Sequence, residues 1–142
     1  MKLLTKLRRH FSIGSHRSKV PTGFIPLKEI KTVVVFTDGA DAGLEPTKVR
    51  ISKFFGDNNI KVKYISAADK DIRTSSDLFL AINGHVSVDE KYAASSSTAR
   101  FKIGRHQLGR QIYDVVVADP TDEPVPVAAA FDYMTKLITN IK

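Results

Sequence analysis

Thr32-Val33-Val34-Val35-Phe36, running straight into Thr37-Asp38-Gly39, is the stretch that settles the fold class. β-branched and aromatic residues in an unbroken run, with no charge among them, make a strand covered on both faces. Asp38 and Gly39 supply the turn chemistry that ends it. Such a strand belongs inside a sheet with layers packed above and below, so amphipathic helices should flank it.

They do. Leu44, Lys48, Ile51 and Phe55 form one stripe, with the aliphatic stem of Lys48 along its edge. This predicts a helix over 46–55, with Pro46 in its first turn and Gly56 as a left-handed C-terminal cap. A second strand over 60–66 sets Ile60, Val62 and Tyr64 against Lys61, Lys63 and Ile65, the alternation of an edge or half-exposed position. A polar crossover over 67–76 leads to Leu78-Phe79-Leu80-Ala81-Ile82, wholly apolar and therefore central.

Ser87-Val88-Asp89-Glu90 matches the S-x-x-E capping box, each side chain serving the other residue's backbone N–H. The helix it opens runs to about residue 98, and Ala93, Ala94 and Ala99 would let it sit close to the sheet. Arg100-Phe101-Lys102-Ile103 alternates and reads as a short fourth strand, and the Val-rich 113–118 as a fifth. A last helix over 124–141 buries Val127, Phe131, Met134, Ile138 and Ile141, with Thr121 or Asp122 capping it and Pro124 in its first turn. The order β-α-β-β-α-β-β-α predicts an α/β domain: a mostly parallel Rossmann-like sheet of about five strands with helices on both faces.

The 142 residues suit one domain, and 42% hydrophobic with 26% charged residues is an ordinary globular composition. With no cysteine, disulfides, thiolate metal sites and cysteine nucleophiles are excluded. That suits a reducing compartment, and a cytoplasmic location is expected. Lys6, Arg8 and Arg9 interrupt the place where a secretory signal would be apolar. The same segment, basic, acid-free and amphipathic, shares features with a mitochondrial transit peptide.

The charge is unevenly placed. Residues 1–28 hold Lys2, Lys6, Arg8, Arg9, Arg17, Lys19 and Lys28 and no acid, which equals the whole chain's net charge of +7. The remaining 15 basic residues are matched by all 15 acidic ones. Leu3, Leu4, Leu7 and Phe11 fall at helical spacing, which predicts a basic amphipathic N-terminal helix. Gly14, Ser15, Ser18, Pro21, Gly23 and Pro26 then read as a linker. The expected organisation is an arm and linker over 1–28 and a single domain over 29–142.

Two motifs carry a resemblance. Ala99-Arg100-Phe101-Lys102-Ile103-Gly104-Arg105, followed by Tyr113-Asp114-Val115-Val116-Val117, resembles an uncharacterised bacterial family of small α/β proteins. That resemblance implies a fold and a bacterial cytoplasm, and no activity. Asp77-Leu78-Phe79-Leu80-Ala81-Ile82-Asn83, a helix, then Ala99 to Gly104 is similar to a unit in the N-terminal Rossmann-like domain of heptosyltransferase-type glycosyltransferases. Those enzymes need a second, nucleotide-sugar-binding domain, for which 142 residues leave no room, so the likeness implies shared architecture rather than shared chemistry.

Three candidate sites emerge. Parallel α/β sheets bind ligands beyond the carboxyl ends of their strands, where Asp38, Asn83, His85 and Asp119 fall. Two carboxylates flanking a histidine suit Mg²⁺ or acid–base chemistry, although Asp and Asn after a strand also serve turns and caps. No phosphate loop, dinucleotide fingerprint, nucleophile elbow or zinc-spaced His pair is present, so no cofactor or resident metal is expected. A second group, Arg100, Lys102, Arg105 and Arg110, occupies an acid-free stretch. It reads either as a phosphate-contacting patch or as positive charge guarding an edge strand. The third is the arm, whose Lys2, Lys6, Arg8, Arg9, Arg17 and Lys19 suit RNA or a ribonucleoprotein. An anionic membrane surface and simple packing on the body are the other readings of the arm, and a protein partner stays open. The preferred expectation is a non-enzymatic binding or adaptor protein, ahead of a small ligand- or metal-binding enzyme.

Overall fold

The computed structural model describes residues 24–108, 112–117 and 125–141. Five strands form one all-parallel sheet: β1 (Thr32–Thr37), β2 (Lys61–Ser66), β3 (Leu78–Ala81), β4 (Phe101–Gly104) and β5 (Val115–Val116). Their spatial order is β2-β1-β3-β4-β5. The helices are α1 (Leu44–Asp57), α2 (Val88–Ser96) and α3 (Val127–Asn140), and a 3₁₀ turn, Leu27–Glu29, precedes β1. This is the Rossmann-like α/β architecture that the run 32–36 predicts.

Strand alternation divides the core into two layers. Val33, Val35, Leu78, Leu80, Phe101 and Ile103 face α1 and α3, meeting Ile51, Phe55, Phe131, Met134 and Ile138. Val34, Phe36, Phe79 and Ala81 face the other way, toward Ala93 and Ala94 of α2. Small residues let α2 lie close, as expected, and Ile72, Leu108, Ile112 and Tyr113 complete its layer from the crossovers. Arg50 of α1 pairs with Asp132 of α3 across the outer surface.

At the amino ends of the strands, the Asp77 carboxylate accepts the Lys31 and Thr32 N–H groups at 2.7 and 3.2 Å. Strand β2 is one edge, as its alternation predicts, with Lys48 Nζ 4.8 Å from the centre of the Tyr64 ring. Strand β4 differs from expectation: it lies between β3 and β5 and is no edge. The helix boundaries differ too. α1 starts at Leu44 behind Gly43, whose φ of 74° suits glycine, and ends past Gly56, so Asn59 (φ 59°) takes the left-handed position instead. α3 starts behind Pro126 with no side-chain cap. Thr121, Asp122 and Pro124, expected at its start, lie outside the described residues.

Candidate functional site

In a β2-β1-β3 arrangement the chain leaves β1 toward one side and later returns to its other side as β3. The loops after these strands diverge and open a crevice at the carboxyl end of the sheet. A cavity of about 300 Å³ lies at this end, lined by Phe36, Thr37, Asp38, Gly39, Ser66, Ala67, Ala68, Ser87 and Asp89.

Each wall has a local cause. Asp38 Oδ1 accepts the Ala40 N–H at 2.9 Å, folding the loop after β1 into a turn. Asp41 reaches across and accepts the Gly84 N–H at 3.1 Å, tying this loop to the one after β3. Ser66 ends β2, its N–H held by Asp69 at 2.7 Å. Ser87 caps α2, its Oγ accepting the Glu90 N–H at 3.0 Å. Among the described residues the wall thus carries two carboxylates and three hydroxyls, and no Lys, Arg or His. Such a lining accepts hydrogen bonds and disfavours anions, so it suits a cationic or polyhydroxylated guest rather than a phosphate. Among the described residues no cluster of three His, Asp or Glu could hold a metal ion.

Behind this wall lies a buried polar centre. Glu90, with no exposed surface, accepts Asn83 Nδ2 at 2.5 Å and the Tyr113 hydroxyl at 2.6 Å. Asn83 Nδ2 also donates to the His85 carbonyl at 2.7 Å, which fixes the loop after β3. Burial raises the Glu90 carboxyl above its ordinary value, while hydrogen bonds from Tyr113 and Asn83 and the charges of His106 and Arg105 oppose the rise. Burial, with the Glu90 charge and hydrogen bond, raises the Tyr113 hydroxyl well above its own. Tyr113 reaches Glu90 only because Gly104 has no side chain: a Cβ there would fall inside the tyrosine ring. The Ser87/Glu90 box is therefore half formed, since the glutamate turns inward to Asn83 and Tyr113.

The predicted residues part company. Asp38 lines the cavity. Asn83 is buried and its amide nitrogen is spent on Glu90 and His85, so it serves the loop and not the cavity wall. His85 is exposed and not part of that wall, and Asp119 lies outside the described residues. The four do not form one lining.

The basic group needs a larger correction. Lys102 is 4% exposed and donates from Nζ to the Ala94 carbonyl at 2.8 Å. Arg105 is 3% exposed and donates to the Ile82 and Val125 carbonyls at 3.0 and 2.8 Å. Both were expected to face an anionic partner, but β4 is interior and α2 covers its polar face. Arg100, just before β4, stays half-exposed with Nη2 3.8 Å from Asp77 Oδ1. Arg110 and the arm residues Lys2, Lys6, Arg8, Arg9, Arg17 and Lys19 lie outside the described residues.

The chain matches no family model, no curated protein and no solved structure. Its site is read from its own residues.

Sequence reasoning missed Ser66, Ser87 and Asp89 as lining and Glu90 and Tyr113 as a pair. One signal for Glu90 was present: residues 90, 93, 94 and 97 share a helical stripe that is otherwise small and buried. A glutamate on such a stripe points inward.

Proposed function

We propose that this protein is a non-enzymatic binding or adaptor protein that uses residues 1–28 to meet an anionic partner, RNA or a ribonucleoprotein. One observation carries the reading: all of the net charge of +7 falls on that segment. Two further facts support it. Lys102 and Arg105 are engaged inside the body, so neither is offered to an anionic partner there. Asn83 is committed to holding a loop, which weakens a four-residue catalytic site.

Deleting residues 1–20 removes six of the seven basic residues of this segment. Affinity for structured RNA, followed by fluorescence anisotropy, should then fall about 100-fold or more at low salt, since each lost phosphate contact forfeits counterion release. Unchanged affinity overturns the proposal. Flotation with anionic vesicles but no RNA binding would place the arm on a membrane instead.

The cavity favours a second reading, a small cationic or polyhydroxylated ligand held by Asp38 and Asp89. A ligand that raises the thermal midpoint of the wild type should fail to do so for Asp38→Ala, and an equal shift in both sinks that reading.

A further inference from the structure

The β2 edge of the sheet carries a feature that the proposed function leaves unused. Among the described residues β2 pairs with β1 on one side and with nothing on the other. In its parallel register Lys61, Lys63 and Ile65 direct their N–H and C=O groups to β1, beginning with the Lys61 N–H on the Lys31 carbonyl at 3.0 Å. Val62, Tyr64 and Ser66 therefore direct theirs outward. Asp69 closes off Ser66: its carboxylate accepts the Ser66 N–H at 2.7 Å, and its own N–H donates to the Ser66 carbonyl at 3.1 Å. The backbone groups of Val62 and Tyr64 have no partner among the described residues, which leaves two donors and two acceptors in line. The side chains differ by face. Val62 and Tyr64 are half-buried against the main core, whereas Lys61 and Lys63 stand exposed on the other face. Neither lysine enters an ion pair among the described residues. Nearby acids of the crossover are engaged, Asp69 with Ser66 and Asp71 with the Arg73 N–H at 3.0 Å.

We propose that this edge takes up an extended peptide of a partner protein, alternating acidic and apolar residues, as an added strand. An extended chain offers a donor and an acceptor at every second residue, the spacing at which Val62 and Tyr64 present theirs. Its side chains alternate as well. Carboxylates on one face fall beside Lys61 and Lys63, while apolar residues on the other cover Val62 and Tyr64. The same lysines turn other strands away. A second copy paired through the same backbone groups sets Lys63 directly against its counterpart. Residues 1–28 of the chain itself, at +7 with no acid, are mismatched to the lysines in the same manner. Phosphates of an RNA would satisfy the lysines but leave the Val62 and Tyr64 carbonyls without donors, so the backbone favours a peptide.

The test uses the full-length protein and a synthetic peptide that alternates Glu and Val. Amide hydrogen exchange, followed by NMR, should slow at least about fivefold at Val62 and Tyr64 when the peptide is added. It should stay unchanged at Lys63, whose N–H already serves β1. Lys61→Glu combined with Lys63→Glu should weaken the peptide about tenfold and prefer one that alternates Lys and Val. Val62→Pro removes an outward N–H and no bond to β1, so it should weaken the peptide while the far-ultraviolet circular dichroism stays that of the wild type. N-methylating every amide of the peptide should abolish binding without touching the protein. Unchanged exchange at about 1 mM peptide overturns the proposal. Equal affinity for the N-methylated peptide does too, since attraction to the basic arm alone gives that result. Exchange at Val62 and Tyr64 that slows with protein concentration alone makes a second copy the occupant, and slowing by RNA but not by the peptide gives the edge to nucleic acid; either result also overturns it. RNA affinity after deletion of residues 1–20 is a separate measurement, so failure here and failure of the arm are distinct results.

Discussion

Replacing Tyr113 by Phe removes one oxygen from the buried Glu90 centre and leaves the ring in place over Gly104. The lost bond, 2.6 Å from hydroxyl to carboxylate, is worth about 1.5–3 kcal/mol while Glu90 is charged and about 0.5–1.5 kcal/mol once it is neutral. The sign of the pH dependence follows from burial. Glu90 is raised in the folded chain, so the folded protein holds its proton more tightly, and stability falls as pH rises from 4.5, the ordinary value, through the raised one. Tyr113 opposes that rise. Its removal therefore lifts the folded value further and widens the window over which stability is lost.

Urea unfolding at pH 4 and pH 8 should show the variant's deficit growing by about 1 kcal/mol or more across that interval. At pH 8 a deficit of about 2 kcal/mol moves the midpoint by roughly 1 M. Because other carboxylates titrate equally in both proteins, the difference isolates the Glu90 centre. An equal deficit at the two pH values, or a smaller one at pH 8, would refute the reasoning.

Other perturbations have equally definite outcomes. Gly104→Ala should destabilise by about 3 kcal/mol, combining overpacking against Tyr113 with loss of its bond to Glu90, and should cost far less in a Tyr113→Ala background. Equal costs in the two backgrounds would remove the ring contact as the cause. Arg105→Met should lower stability by about 3 kcal/mol, seen as a thermal midpoint reduced by roughly 10 °C, and should leave RNA affinity unchanged. A weakened RNA complex with unaltered stability would return Arg105 to the surface.

Where apolar periodicity is strong, the sequence was legible. The uninterrupted run of β1 and the alternation of β2 led directly to an interior and an edge strand, because burial on two faces or one leaves different patterns. Strand β4 misled for a physical reason. Its Arg100 and Lys102 alternate with Phe101 and Ile103 as an edge strand would, yet a lysine can lie inside when a carbonyl such as that of Ala94 receives its ammonium. No local pattern encodes that carbonyl, which comes from α2. Glu90 misled similarly: S-x-x-E is a local signal, whereas Tyr113 and Asn83 come from distant segments and won the carboxylate. Asp38 was legible as a strand-end residue, but Ser66 and Asp89 join it only through the β2-β1-β3 order. That order is not readable from any one element.

The direct test of the account is the salt dependence of RNA binding by the intact chain. Six basic residues in 1–20, each displacing counterions from the double-helical parts of a structured RNA, predict a slope of log affinity against log salt of about −5. A slope near zero, at any affinity, would contradict the claim that the arm's charge is what this protein binds with.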